Sequence, residues 1–257
     1  MTDILLHPIE KHVAHIELNR PEKLNALTLD MFDLLPSAIN ELESDKRVRA
    51  AVISGSGRAF CAGMDMENFA KPQLLETKFN NPAREFPNFF QRPAMSLRNA
   101  RFPVIAAISG PCLGGGLQIA LGADIRFCAP NAVFSVMEIK WGMIPDMSAS
   151  QTLRELVGID VAKELTFTGR KVAAEEAREL GLVTRIVDDP ILEAKQLASE
   201  ISDKNPDAVE GAKELFHETW GSQGGLETEE RIQRQIVFQP RQIEAAMATL
   251  EGRKAKF

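Results

Sequence analysis

The sequence predicts an α/β fold of short strand–helix repeats with a helical C-terminal region. Three observations carry this reading. The apolar runs Ala50–Ile53 and Val104–Ile108 read as buried strands. Each stops at a turn of small residues, Ser54-Gly55-Ser56-Gly57 in one case and Gly110-Pro111 with Gly114-Gly115-Gly116 in the other. The second turn runs straight into an apolar helix, Leu117–Leu121, and from about Asp188 onward the pattern is helical. Strands alternating with helices favour short parallel strands. A length of 257 residues suits one domain with a small appendage.

The elements follow in order. Ile4–Leu6 and Val13–Leu18 alternate as paired edge strands do. Thr28 is expected to cap a helix of about fifteen residues, with Met31, Leu34, Leu35, Ile39 and Leu42 on its buried face. The strand at 50–54 and its turn at 55–65 come next. Residues 66–96 have little pattern. Asn, Pro and Phe crowd there, as in Phe86-Pro87-Asn88-Phe89-Phe90, and one reading is a surface loop with a helix packed by its phenylalanines. A strand–helix–strand unit spans 103–128, and a short strand lies near 133–135. Helices are predicted at Ile191–Ser202, Pro206–Trp220, Leu226–Phe238 and Gln242–Glu251. Leu215, Phe216 and Trp220, with Ile232, Ile236, Val237 and Phe238, give them apolar faces that must bury against something.

Composition narrows the function. A hydrophobic content of 44% with 26% charged residues is that of a soluble globule. A net charge of −6 with no basic stripe argues against nucleic acid. No apolar run is long enough for a membrane span, and MTDILLHPIEKH lacks the regions of a signal peptide, so the expected location is the cytoplasm. Cys61, Cys112 and Cys128 lie beside predicted strands and read as buried thiols. His7, His12, His15 and His217 fall in no metal spacing, so no metal is expected.

The two strand-end turns share a design: small residues leave backbone N–H groups free to meet a ligand. Neither GxGxxG nor GxxxxGK[ST] is present, so a nucleotide site is disfavoured. Two N–H donors from separate turns, aimed at one carbonyl oxygen, make an oxyanion hole. The plainer reading is that the glycines only let a helix pack closely on a strand.

RAFCAGMD at 58–65, GPCLGGGLQIALGADIRFCAP at 110–130 and the opening HIELNRPEKLNALT at 15–28 together resemble the crotonase (enoyl-CoA hydratase/isomerase) superfamily. The resemblance covers nearly the whole chain and is weak between Ala70 and Pro103. It implies a crotonase-type spiral with an acyl-CoA site over 1–190. Residues 191–257 would then form a helical region packing on neighbouring subunits in a homotrimer, or in a hexamer of two trimers. It implies an acyl-CoA thioester substrate, with coenzyme A part of the substrate and no separate cofactor. The stretch at 66–96 gains a second reading, a mobile cover over the acyl chain.

By the same resemblance the oxyanion donors are the N–H groups of Met64 and Gly115. Hydratases carry a glutamate three residues after the middle glycine, where this chain has Gln118, which cannot exchange a proton at neutral pH. They carry a second glutamate where this chain has Glu138, in AVFSVMEI. Its apolar neighbours predict partial burial and a raised pKa. Asp146 stands eight residues on, where hydratases usually have glycine. Dienoyl-CoA isomerases of the family match at Glu138 and Asp146 but have an acid at the place of Gln118. Asp146 has a second reading, as a cap for a helix starting near Ser148. Lys23, Leu24, Ala26, Ala62, Gly63, Asp65, Met66 and Gly114 line the implied substrate path. Arg20 and Lys23 are candidate phosphate partners, and Arg253 and Lys254 are weaker ones.

Four readings stay open, one of them another reaction of the resembled family, such as thioester hydrolysis or carbon–carbon cleavage, which the stretch at 66–96 would decide. A double-bond shift in an enoyl-CoA needs one base, and Glu138 supplies it. Hydration of a 2-enoyl-CoA is helped by two carboxylates, and Asp146 is the available second. A non-catalytic acyl-CoA-binding homologue is the alternative of another class, although such a protein need not keep acids at both 138 and 146.

Overall fold

The computed structural model describes residues 2–70, 72–80, 85–204, 206–220, 234 and 237–253. Its strands are β1 (Ile4–Glu10), β2 (Val13–Leu18), β3 (Ala50–Gly55), β4 (Val104–Ile108), β5 (Pro111–Leu113), β6 (Ile125–Cys128), β7 (Val133–Ser135), β8 (Val172–Ala173) and β9 (Arg185–Ile186). They form a six-stranded sheet, β1-β2-β3-β4-β6-β9, and a three-stranded sheet, β5-β7-β8. In the large sheet only the β1–β2 pair is antiparallel. The chain steps from the large sheet to the small one and back, β4 to β5, β6 to β7, β8 to β9, which makes the expected spiral.

The central strands explain the core. β3 and β4 are apolar at almost every position because both faces are covered, as parallel strands require. Ala51, Ile53, Val104, Ala106 and Ile108 enter the larger core cluster. The alternate residues Ala50, Val52, Ile105 and Ala107 enter a second cluster on the opposite face. That second face is closed by α8 (Pro190–Ser202), through Ala194 and Ala198. The first of the late helices therefore covers the central sheet.

The remaining helices are α1 (Met31–Ser44), α2 (Pro72–Phe79), α3 (Arg92–Asn99), α4 (Gly115–Leu121), α5 (Ala149–Thr152), α6 (Ile159–Thr168), α7 (Ala174–Glu179), α9 (Pro206–Trp220) and α10 (Pro240–Leu250). α1 begins later than a cap at Thr28 would place it. Asp30 holds the cap position, and Thr28 Oγ1 accepts a long bond of 3.4 Å from the Met31 N–H. Leu34 was expected inside but is 39% exposed. The buried stripe is rotated, and Phe32 takes that place. Gly110-Pro111 does not simply end β4. The chain turns at Gly110 and enters the small sheet at once. The predicted helix at Leu226–Phe238 lies largely outside the described residues. Leu215 and Phe216 of α9 are each 55% exposed. No helix among the described residues is long and apolar enough to cross a membrane.

Candidate active site

The first turn is built by pairings that bring distant segments together. The Leu27 N–H donates to the Gly63 carbonyl at 2.8 Å, and the Asp65 N–H donates to the Leu27 carbonyl at 2.9 Å. N–H directions alternate along an extended chain. With its two neighbours bonded to Leu27, Met64 aims its own N–H the other way. Asn25, fully buried, pins the turn from behind. Its Nδ2 donates to the Ser56 and Ala59 carbonyls at 2.9 and 2.8 Å, while its Oδ1 accepts from the Arg20 N–H at 2.8 Å. Arg20 Nη1 is 2.9 Å from Asp65 Oδ2 in an ion pair away from solvent. Burial pushes the Asp65 carboxyl up. The Glu67 N–H and the Arg20 guanidinium outweigh that and hold it below its ordinary value.

The second turn is built by close approach. The two turns are stitched by Cys61, whose N–H donates to the Pro111 carbonyl and whose carbonyl accepts from the Leu113 N–H. Gly114 adopts a φ of +51°, in the region that favours glycine. A side chain on Gly116 would place a Cβ 2.5 Å from the Cys61 carbonyl oxygen, so only glycine lets α4 sit this close. Gly115 opens α4, and an N–H in the first helical turn has no partner within the helix. A Cβ built on Gly63 would lie 3.8 Å from the Gly115 nitrogen, which measures how near the two turns come.

Glu138 begins a short 3₁₀ turn just after β7 and is 8% exposed. Gln118, on α4, is 1% exposed. Its Nε2 donates to Glu138 Oε1 at 2.7 Å, and its Oε1 accepts from the Met147 N–H at 2.8 Å. The Met147 N–H can only donate, so the amide oxygen must face it. The amide NH₂ then faces Glu138, and that carboxyl oxygen is an acceptor. Asp146 is half-buried and lines the same cavity as Glu138. The cap position of α5 falls to Ser148, two residues further on.

Both turns and both acids border one cavity of about 390 Å³. A model of the enoyl-CoA hydratase/isomerase family matches residues 8–257 of the sequence. The chain belongs to that family.

Within the crotonase superfamily, the chain is 36% identical to a mouse protein named Delta(3,5)-Delta(2,4)-dienoyl-CoA isomerase, mitochondrial. The match covers 79% of this chain and 65% of the mouse protein, so the chain spans about two thirds of that relative's length. It is 35% identical to a putative enoyl-CoA hydratase/isomerase of Bacillus subtilis, over 100% of this chain and 99% of the relative. A crystal structure of an enoyl-CoA hydratase/isomerase from Pseudoalteromonas atlantica superposes with a TM-score of 0.85 at 25% identity, covering all of both chains.

Most of the residues singled out in the sequence border this cavity. Lys23, Ala26, Ala62, Gly63, Met64, Asp65, Met66, Gly114, Gly115, Glu138 and Asp146 line the cavity. Gln118 lies behind Glu138, and Leu24 contributes its carbonyl, which accepts the Ala62 N–H at 2.9 Å. Arg20 is turned inward onto Asp65. Lys23 stays at the lip, with Nζ 3.0 Å from Glu67 Oε1 and its side chain half exposed. Arg253 is bound by Glu244 and Glu251 at the end of α10, and Lys254 lies outside the described residues. Of the apolar lining, Phe69, Leu75, Phe79 and Phe90 come from the 66–96 stretch that one reading set over the acyl chain, while a place in the site was not foreseen for Trp141, Met143, Met147 and Val237. Met147 is notable, since a Cβ on Gly115 would lie 2.8 Å from its sulfur. Val237 was marked as part of an apolar helix face, and the others carried only a high apolar content in stretches without a period.

Proposed function

We propose that this protein catalyses a double-bond shift in an enoyl-CoA thioester, with Glu138 as the base. The thioester oxygen would sit on the Met64 and Gly115 N–H groups. Glu138 takes the proton at C2, the electrons move into the carbonyl, and the N–H pair stabilises the enolate. Return of a proton at the far end of the conjugated system completes the shift with atoms and charge balanced. For a 3,5-dienoyl thioester, the class named for the mouse relative, that end is C6. Asp146, protonated at the start, then gives its proton to C6 while Glu138 keeps the one from C2, and exchange with solvent restores both acids. Each oxyanion donor is worth about 10²–10³ in rate, and a positioned base about 10²–10⁴.

One observation carries this reading: the Gln118 amide, with its sense fixed by Met147, donates to Glu138. Position 118 thus holds the base and cannot itself exchange a proton. The test offers the enzyme 2-enoyl-, 3-enoyl- and 3,5-dienoyl-CoA in deuterated water and identifies products by mass and NMR. Shifted dienes or enes with deuterium at the distal carbon are expected. Tight binding without turnover of any of these would overturn the proposal.

Asp146 supports hydration as the second reading, because it brings another carboxylate to the Glu138 cavity. Gln118→Glu separates the two. It places a carboxylate within hydrogen-bond reach of Glu138, so one of the pair holds a proton. If Gln118 limits hydration, the ratio of 3-hydroxyacyl-CoA to shifted enoyl-CoA rises. An unchanged ratio in a folded variant moves attention to Asp146.

A further inference from the structure

The apolar part of the cavity has two kinds of wall. One is made of methionines, Met64, Met66, Met137, Met143 and Met147, which are unbranched and adaptable. The other is rigid and buried: Leu75, Phe79 and Phe90, which are 2%, 9% and 2% exposed. The two phenylalanines stack with ring centroids 4.3 Å apart. Each is braced from behind. Phe90 meets Phe32 edge-on at 5.5 Å and Phe89 edge-on at 5.1 Å, and Phe79 meets Phe238 edge-on at 6.2 Å. The braces come from α1, from the segment before α3 and from the segment before α10, so the stop is anchored to three parts of the fold.

We propose that the Phe79–Phe90 pair is a length stop that admits short- and medium-chain acyl groups and excludes long ones. The proposal rests on the acyl-CoA reading of this cavity, but not on which reaction occurs there. A cavity of 390 Å³ is near the small end of the roughly 300–1,000 Å³ typical of ligand sites. At about 30 Å³ per water-sized heavy group it holds about a dozen, and the thioester claims the first few. An acyl chain of about eight to ten carbons fills the rest. Until the stop is reached, each added methylene should tighten binding by about fourfold. Beyond it, no further apolar surface is available to cover the chain.

The test is calorimetric binding of saturated acyl-CoA thioesters from C4 to C16, which need no turnover. The dissociation constant should fall steadily to about C8–C10 and then level or rise. Phe79→Leu and Phe90→Leu should each move that break to longer chains, whereas a merely structural role would lower the melting temperature and leave the break in place. Steady tightening through C16 in the unmodified protein overturns the proposal, whether or not the variants fold. A break at C8–C10 in a protein that shifts no double bond supports the stop and defeats the reaction proposed above, so the two can fail separately.

Discussion

The two turns that meet at the cavity present a backbone N–H by different means. The first, at 55–65, needs bare glycine too, since a Cβ on Gly55 would lie 2.3 Å from the Ala59 and Phe60 carbonyl oxygens, but side chains also hold it: Asn25 fastens it, and Arg20 grips Asp65 beneath it. The second, at 109–116, is held by the absence of side chains, with Gly116 pressed against Cys61. The second turn is also the one beside Glu138, whose Oε1 would lie 3.4 Å from a Cβ on Gly114. The difference teaches where a substitution should act. Changes at the second turn should reach the rate directly. Changes at the first should act through stability and position.

Glu138→Gln is the strongest test of the second turn. Turnover should fall by about 10²–10⁴, while acyl-CoA affinity, measured by calorimetry, changes little. A variant retaining more than about a tenth of the rate would place the base elsewhere, with Asp146 the first suspect. Gly115→Pro comes next. It deletes the donor, and a loss of about 10²–10³ in kcat is expected, read in protein shown to be folded by circular dichroism. Full activity there would move the hole away from Gly115.

Asn25→Ala addresses the first turn. It leaves two buried carbonyls and one N–H without their partners, and stability should drop by about 2–3 kcal/mol, measured by urea unfolding. A large rate loss with unchanged stability would erase the proposed contrast between the turns. The smallest effect expected is pH-dependent. Asp65 is held below its ordinary value of 3.8 in the folded protein. Its contribution is therefore present above that value and is lost as the pH falls below it. Melting temperature followed from pH 6 to pH 3 should decline less steeply for Asp65→Asn than for the unmodified chain. Parallel curves would mean that the Arg20 pair contributes nothing.

How much of this was legible in the chain depends on the range of the signal. β3, β4 and the two turns could be read because each is a short contiguous run. The apolar run marks a buried strand, and the glycines mark where the backbone must be bare. Glu138, Asp146 and the N–H positions were placed by motif, and the cavity brings them together. β8 and β9, two residues each, left no period to read. The stretch at 66–96 yielded a packed helix and part of the cavity wall, through Phe79 and Phe90.

By itself the sequence determined the repeating α/β pattern, the family, and the fact that position 118 cannot carry a proton. Those follow from local periodicity, from spacing and from side-chain chemistry. Only the tertiary structure decided what Gln118 does instead. Its partners are Glu138, twenty residues away, and Met147, twenty-nine away. It also turned Arg20 inward, aimed the Met64 N–H by pairing 63 and 65 with Leu27, and gathered five phenylalanines from four segments into one cluster at the cavity wall. Each is a contact between chain segments that fold independently of one another's local pattern. Burial and hydrogen-bond satisfaction select such contacts only once the whole core has closed.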